Sequence, residues 1–445
     1  MSSTEHTIWW HVFPLGFLGT DTTGADRTPA TRLPALIGWL DHLLELGANG
    51  LALGPVFESS THGYDTIDYF RIDPRLGTEA DLVALIDAAH SRGIQVMLDG
   101  VFNHVGPEFP ALLAAREDPA SPEAHLFAQN PDGGPVTFEG HGGLITVNHG
   151  APEVATLVTD VMTYWCDRGV DAWRLDAAYS VPVEFWTTVL PAVRERHPQV
   201  YVMGEVLHGD YVAFTRDGGL DAVTQYELWQ GIWHSIADRN FHELDHALGR
   251  HNAFLDAFVP YTFVGNHDVT RIASQVEDAR HLPHAIALLF TLGGTPSVYY
   301  GDELGLQAVK EERFGGDDAI RPAFGASRDE IDGAKPEVFT LHQELIGLRR
   351  RHPWLHTARS RTVAVGNDTI ALEVAGPDQA LIVCLNIGDS EVRTPGAGTV
   401  LAGHDAGLDG EELVVGPHGW AVTETAASTK GVAAPHTRSR RRVRN

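Results

Sequence analysis

Two cysteines in 445 residues, Cys166 and Cys384, give no disulfide framework, and the expectation is two buried thiols. No lysine precedes Lys310, so Schiff-base chemistry has no candidate residue over the first two thirds of the chain. No apolar run approaches membrane-spanning length. The N-terminus, MSSTEHTIWW, has no basic segment followed by an apolar stretch. A cytoplasmic chain with no membrane partner is expected. Bases are scarce as well, with 32 Lys and Arg against 59 Asp and Glu and a formal charge of −27. A surface this negative repels phosphate backbones and anionic lipid, which argues against nucleic-acid partners. There is also no GxGxxG behind a strand, no phosphate-loop motif and no GxSxG elbow.

What the chain does have is alternation. The hydrophobic fraction of 43% with 9% aromatics suits a globular protein with a large core. Short β-like runs occur at Ile8–Phe13, Gly50–Leu53, Val96–Asp99, Asp171–Leu175, Val200–Gly204, Ala222–Tyr226, Tyr261–Val264 and Ser297–Tyr300. Helix-like stretches lie between them, at Pro34–Leu46, Pro152–Arg168, Val183–Arg196, Phe241–Phe254 and His281–Leu292. Another begins at Thr78, where Asp81 can complete a capping box and Leu82, Leu85, Ile86 and Ala89 follow at helical spacing. Strand and helix alternating in eight units predict an α/β fold, a parallel (β/α)8 barrel.

The expected organisation is a barrel over residues 1–103 and 151–354, interrupted by an insertion over 104–150. That insertion is rich in Gly and Pro, and a long excursion from a functional rim reads as a lid over a binding site. Residues 355–425 change to alternating apolar patterns broken at Asn367-Asp368 and Pro377-Asp378, which predicts hairpins of an antiparallel β-sandwich. Residues 426–445 lack apolar content and end in an arginine cluster, a solvated basic tail.

Three acids close three of the β-runs: Asp176 ends VDAWRLD, Glu205 ends VYVMGE and Asp268 ends YTFVGNHD. The carboxyl ends of barrel strands converge on one face, where catalysis is placed. Three carboxyl groups there can supply a nucleophile, a proton donor and a substrate clamp, and glycoside hydrolysis needs the first two. Arg174 lies two residues before Asp176, on the same face of the strand, where a guanidinium can keep the carboxylate ionised. Asn103, His104 and His267 add an amide and two imidazoles suited to gripping sugar hydroxyls.

These residues also carry a resemblance. DGVFNH (99–104), GVDAWRLDAA (169–178), VMGEV (202–206) and FVGNHD (263–268) resemble the four sequence regions of the α-amylase family, glycoside hydrolase family 13. HGYDTIDYFRIDPRLGT (62–78) and GTPSVYYGDELG (294–305) are similar to that family too. The resemblance is strongest to the cyclomaltodextrinase and neopullulanase branch, without that branch's additional N-terminal domain. It implies a short B-type insertion after strand three and a retaining hydrolase acting on α-1,4 bonds of small or cyclic malto-oligosaccharides. An oligosaccharide α-glucosidase or a starch α-amylase of the same family is the alternative, and transglycosylation would share the same intermediate.

Residue by residue, Asp176 matches the nucleophile, Glu205 the general acid/base and Asp268 the transition-state stabiliser. Arg174 matches the partner of the nucleophile, His104 and His267 the histidines at the cleaved bond, and Tyr64 the aromatic platform. Asp99 and Asn103 match residues that order the site. Arg271 is expected to reach the next sugar along, and Tyr179, Ser180 and Val181 are open to lining the acceptor side or to packing. Retention would require Asp176 and Glu205 about 5–5.5 Å apart, with Glu205 in surroundings that disfavour its charge. Asn103 matches a calcium ligand of many amylases, but 104–150 offers no clear acidic set to complete a cage, so no metal and no cofactor is expected. The oligomeric state is open, a homodimer included.

Two rival readings come from other classes. HELDH (242–246) fits the HExxH pattern of zinc proteases, which would need both histidines on one helix face. A barrel that has lost catalysis and serves as a binding subunit is the other; such chains usually lose a central carboxylate, and all three stand here.

Overall fold

A computed structural model describes residues 6–426 apart from 132, 314, 396 and 397. All eight expected β-runs form strands: β1 Trp9–Val12, β2 Gly50–Leu53, β3 Gln95–Gly100, β4 Ala172–Leu175, β5 Tyr201–Gly204, β6 Ala222–Val223, β7 Tyr261–Phe263 and β8 Thr295–Tyr299. They join in one parallel sheet in the order β6-β5-β4-β3-β2-β1-β8-β7. A parallel bridge between Thr224 and Tyr261 brings its two edges together, with the Gln225 amide donating to the Tyr261 carbonyl at 2.9 Å. The sheet closes into a barrel. Its strands are buried on both faces, which is why they read as continuous apolar runs rather than alternating ones. Trp9, Trp10, Trp165, Trp173 and Trp186 are fully buried in this core.

The helices follow their local chemistry. Pro34–Leu46 starts on proline and ends at Gly47, whose φ of 93° is open to glycine but strained for other residues. Thr78 and Asp81 form the capping box, with each side chain bonding the other's backbone. Of the helices that were not expected, two are long. Tyr226–Ala237 begins where a longer strand was expected, since β6 stops at Val223, and Pro336–Arg351 packs against helices Leu282–Thr291 and Pro34–Leu46.

Two excursions rise from the carboxyl ends of strands. After β2, Phe57–Ser59 pairs with Thr66–Ile72 in a hairpin that carries Tyr64 at its tip. After β3 comes the 104–150 segment, anchored where His104–Val105 pairs antiparallel with Ile145–Thr146 and carrying a helix at Pro110–Glu117. The C-terminal region has six antiparallel strands hydrogen-bonded as one sheet. Ala371, Ile382 and Cys384 cluster with Leu413 and Val415, so its two ends fold over a small core of their own. The hairpins turn at the expected places, between Arg359–Val365, Thr369–Ala375 and Gln379–Asn386. Helix Leu282–Thr291 joins this sheet to the barrel, His284 Nε2 reaching the carbonyls of Asn386 (3.2 Å) and Gly419 (3.0 Å). The last strand ends at Ala426, and the basic tail expected beyond it lies outside the described residues.

Both cysteines are free and buried, with burial pushing each thiol up to about 12. Among the described residues no helix is long and apolar enough to cross a membrane.

Candidate active site

The carboxyl ends of β3, β4, β5 and β7 deliver Asp99, Arg174, Asp176, Glu205 and Asp268 to one rim. Arg174 is the hub. Its Nη1 donates to both oxygens of Asp99 (2.7 and 2.6 Å) and to Asp176 Oδ1 (3.2 Å), while Nη2 reaches Glu205 Oε1 at 2.8 Å. Glu205 also accepts from the Ala177 amide (3.0 Å) and the Tyr226 hydroxyl (3.2 Å). Ala177 adopts a φ of 46°, a left-handed conformation unusual for alanine, and that turn aims its N–H at Glu205.

Asp268 stands half-buried on the far side. It accepts from Arg321 Nη2 at 2.9 Å and lies 2.9 Å from His267 Nε2, and its own amide donates to Asn266 Oδ1. The Tyr64 hydroxyl donates to Asp99 Oδ2 (3.2 Å) and touches His267 Nε2. His104 Nε2 lies 3.1 Å from the Tyr64 carbonyl, and its Nδ1 lies 3.1 Å from Asn103 Nδ2.

Tyr64, His104, Asp176, Glu205, Tyr226, Asp268 and Arg321 border a cleft of about 560 Å³, with Asp99, Asn103, Arg174 and His267 behind them. The insertion leans over it. Phe138 stacks on His104, with centroids 4.7 Å apart and planes at 15°, and Glu139 accepts from the Tyr179 hydroxyl at 2.7 Å. Of the three residues left open after Asp176, Tyr179 lines the cleft, Ser180 is exposed and Val181 is buried.

The electrostatics follow from one cation among three buried acids. Burial pushes Asp176 well above the usual carboxylate range, with Arg174 opposing it and Glu205 and Asp99 adding repulsion. Burial raises Asp99 in the same way, against the pull of Arg174. Asp176 and Asp99 therefore hold a proton more readily than free carboxyls do, and that proton belongs to the cluster rather than to one residue. Burial also acts upward on Asp268, but His267 and Arg321 outweigh it and hold that carboxyl well below its ordinary value. His104 is lowered to about 4 by burial, so it stays neutral. Three donors converge on Glu205: the Arg174 guanidinium, the Ala177 amide and the Tyr226 hydroxyl.

The structure places Tyr64, Asp99, Asn103, His104, Arg174, Asp176, Glu205, His267 and Asp268 as neighbours on this rim. Arg271 needs correction. It is 1% exposed, with its guanidinium donating to the Tyr300 and Ile320 carbonyls and to Asp302, behind the cleft rather than in it. The arginine that reaches the cleft is Arg321, which no motif marks. Tyr226 was also missed, although its place just past β6 at the catalytic end was a usable signal.

HELDH lies on helix Phe241–Leu255 with His242 and His246 exposed and Glu243 held 2.8 Å from His234. No third ligand gathers with them among the described residues, so the zinc-protease reading fails on geometry. The Asn103 side-chain oxygen is buried without a protein partner. Among the described residues no group of three carboxylate, imidazole or thiol ligands gathers around it.

A closed parallel barrel with an acid cluster at the carboxyl ends of its strands, under a lid from strand three, defines the class: a barrel glycoside hydrolase. The chain belongs to the α-amylase family, whose catalytic-domain model matches residues 11–142 and 138–365. A cyclomaltodextrinase of a Bacillus species is 32% identical over 386 residues, 79% of this chain and 67% of that protein. An intracellular maltogenic amylase of Bacillus subtilis is 29% identical over 346 residues, 69% of this chain and 57% of that protein. Among solved structures, the ligand-free cyclic α-maltosyl-(1→6)-maltose hydrolase from Arthrobacter globiformis superposes with a TM-score of 0.81 at 29% identity. That match covers 96% of this chain and 99% of the other.

Proposed function

We propose that the chain is a retaining hydrolase of α-1,4-glucosidic bonds in small or cyclic malto-oligosaccharides, acting in the cytoplasm. The observation that carries this is Arg174, buried behind the cleft and touching at once Asp176 and Glu205, which line it together with Asp268. In the substrate complex Glu205 carries the cluster's proton and gives it to the glycosidic oxygen as the bond to C1 breaks. An Asp176 oxygen forms the new bond to C1, and the leaving sugar departs. Glu205, now ionised, takes a proton from water, whose oxygen displaces Asp176 and restores the original configuration. Asp268, held ionised by His267 and Arg321, grips the 2- and 3-hydroxyls of the same ring. Tyr64 lies beneath that ring, and His104 and His267 bind it.

In the free enzyme Glu205 has three donors and Asp176 has one. Sugar binding must turn Glu205 toward the glycosidic oxygen, and catalytic hydrogen bonds commonly rearrange in this way on binding.

A small cyclic substrate is supported by the near full-length match to the Arthrobacter hydrolase, solved with cyclic α-maltosyl-(1→6)-maltose and with maltose. The enclosing contacts of Phe138, Glu139 and Tyr179 over the cleft agree with a short ligand. The intracellular relative supports the cytoplasm. The test is chromatography of products from maltose, maltotriose, panose, cyclodextrins, cyclic maltosyl-maltose, pullulan and starch. The expected result is rapid cleavage of the small and cyclic glucans and slow attack on starch. Starch as the best substrate would overturn the preference, and no cleavage of any α-glucan would favour the binding-subunit reading.

A further inference from the structure

Away from the cleft, at the junction of the barrel and the C-terminal sheet, Asp278, His281 and His418 bring one ligand atom each within 4.8 Å of one another. Asp278 and His281 precede helix Leu282–Thr291, and His418 lies across the junction in the strand Glu412–Ala426, where its φ of 57° makes a local turn of the backbone. None of the three lines the cleft. His281 is 5% exposed, and the His418 side chain 12%.

We infer that these three side chains form a binding site for one divalent transition cation of the zinc class. Tautomer chemistry comes first. His418 Nε2 lies 3.1 Å from Asp389 Oδ1, and a carboxylate accepts only from an N–H, so the neutral ring presents its Nδ1 lone pair inward. That lone pair points toward His281 Nε2, 3.0 Å away. Two nitrogens bound to one tetrahedral zinc at about 2.0–2.1 Å lie about 3.3–3.4 Å apart, so a shift of a few tenths of an ångström seats the ion.

The third ligand is the Asp278 carboxylate. Arg280 holds it through its amide and Nε to Oδ1 (2.9 and 3.0 Å) and through Nε and Nη2 to Oδ2 (3.1 and 2.6 Å), so a cation takes this ligand by displacing one of those donors and drawing the carboxylate inward. Two imidazoles and a carboxylate, with water in the fourth position, suit zinc and its neighbours better than calcium or magnesium. Asp389 behind His418 is the outer carboxylate that orients a metal-binding histidine. His284 steadies the same turn through its contact with the Gly419 carbonyl. An ion here would tie the sheet to the barrel, so its effect is on stability rather than on bond cleavage.

The test is calorimetric titration of chelator-treated full-length protein with Zn²⁺, with circular dichroism to check folding. Wild type is expected to bind one ion per chain saturably, to unfold at a higher temperature when loaded, and to give the visible bands of tetrahedral Co²⁺ on substitution. His281→Gln and His418→Gln should each lower affinity about 100-fold or more, and Asp389→Asn about 10–100-fold. Absence of saturable one-to-one binding in wild type would overturn the site. So would wild-type affinity in His418→Gln, or several weak ions spread over exposed histidines and indifferent to these substitutions. In those cases His281 and His418 form only an imidazole–imidazole hydrogen bond.

Discussion

At the scale of single residues, the chemistry turns on how one proton is shared beneath Arg174. Asp176→Asn and Glu205→Gln should each lower kcat by roughly 10⁴-fold or more while circular dichroism and the unfolding temperature stay near wild type. Rates within tenfold of wild type for either variant would remove the assigned roles. Tyr226→Phe is a finer test. It deletes one of the three donors that position Glu205, so kcat should fall about tenfold with little change in KM. An unchanged kcat would contradict the positioning of the acid by this hydroxyl.

At the scale of elements, two contacts outside the acid cluster have separable effects. Thr78→Ala removes half of a capping box and should cost about 1 kcal/mol in denaturant unfolding with activity unchanged. Tyr179→Phe unlatches Glu139 and with it the insertion, so KM for small glucans should rise several-fold with little change in kcat. An unchanged KM would mean the lid does not hold the substrate through this contact.

What was legible in the sequence divides along the same line. The eight strands could be read because strands buried on both faces leave unbroken apolar runs. The acids could be read because each closes such a run. Helix Pro336–Arg351 escaped because its buried face includes His342 and Arg349, polar residues that break the apolar stripe. Arg349 donates to the carbonyls of Phe290, Leu292 and Gly294, a pairing no local pattern announces. The exchange of Arg271 for Arg321 has the same cause. Arg271 sits three residues past Asp268 but turns into the core toward Asp302, while Arg321 arrives from a loop without periodicity 53 residues away.

At the scale of the whole molecule, buried neutral imidazoles make the fold sensitive to acid. His251, between the Gly293 carbonyl and Gln225, is lowered by burial from 6.5 to about 4. Between those values the unfolded chain binds a proton there and the folded chain does not, so this histidine lowers stability as pH falls from about 6.5 to 4. The loss is on the order of 3 kcal/mol at most, and above about pH 6.5 there is none. Asp176 and Asp99, raised by burial, act in the opposite sense, so the informative quantity is a difference between proteins. His251→Gln should lose less stability than wild type between pH 6.5 and 4 in denaturant titrations. An equal or steeper loss would contradict the assignment.

The central claim concerns a covalent bond that Asp176 makes and Glu205 helps to break. It is tested most directly by trapping the glycosyl–enzyme with a fluorinated glucosyl fluoride and mapping the labelled peptide by mass spectrometry. The adduct is expected on Asp176, within the segment that follows Arg174, with the α-anomer as the first sugar released in normal turnover. An adduct on another carboxylate, or β-sugar as the first product, would contradict it.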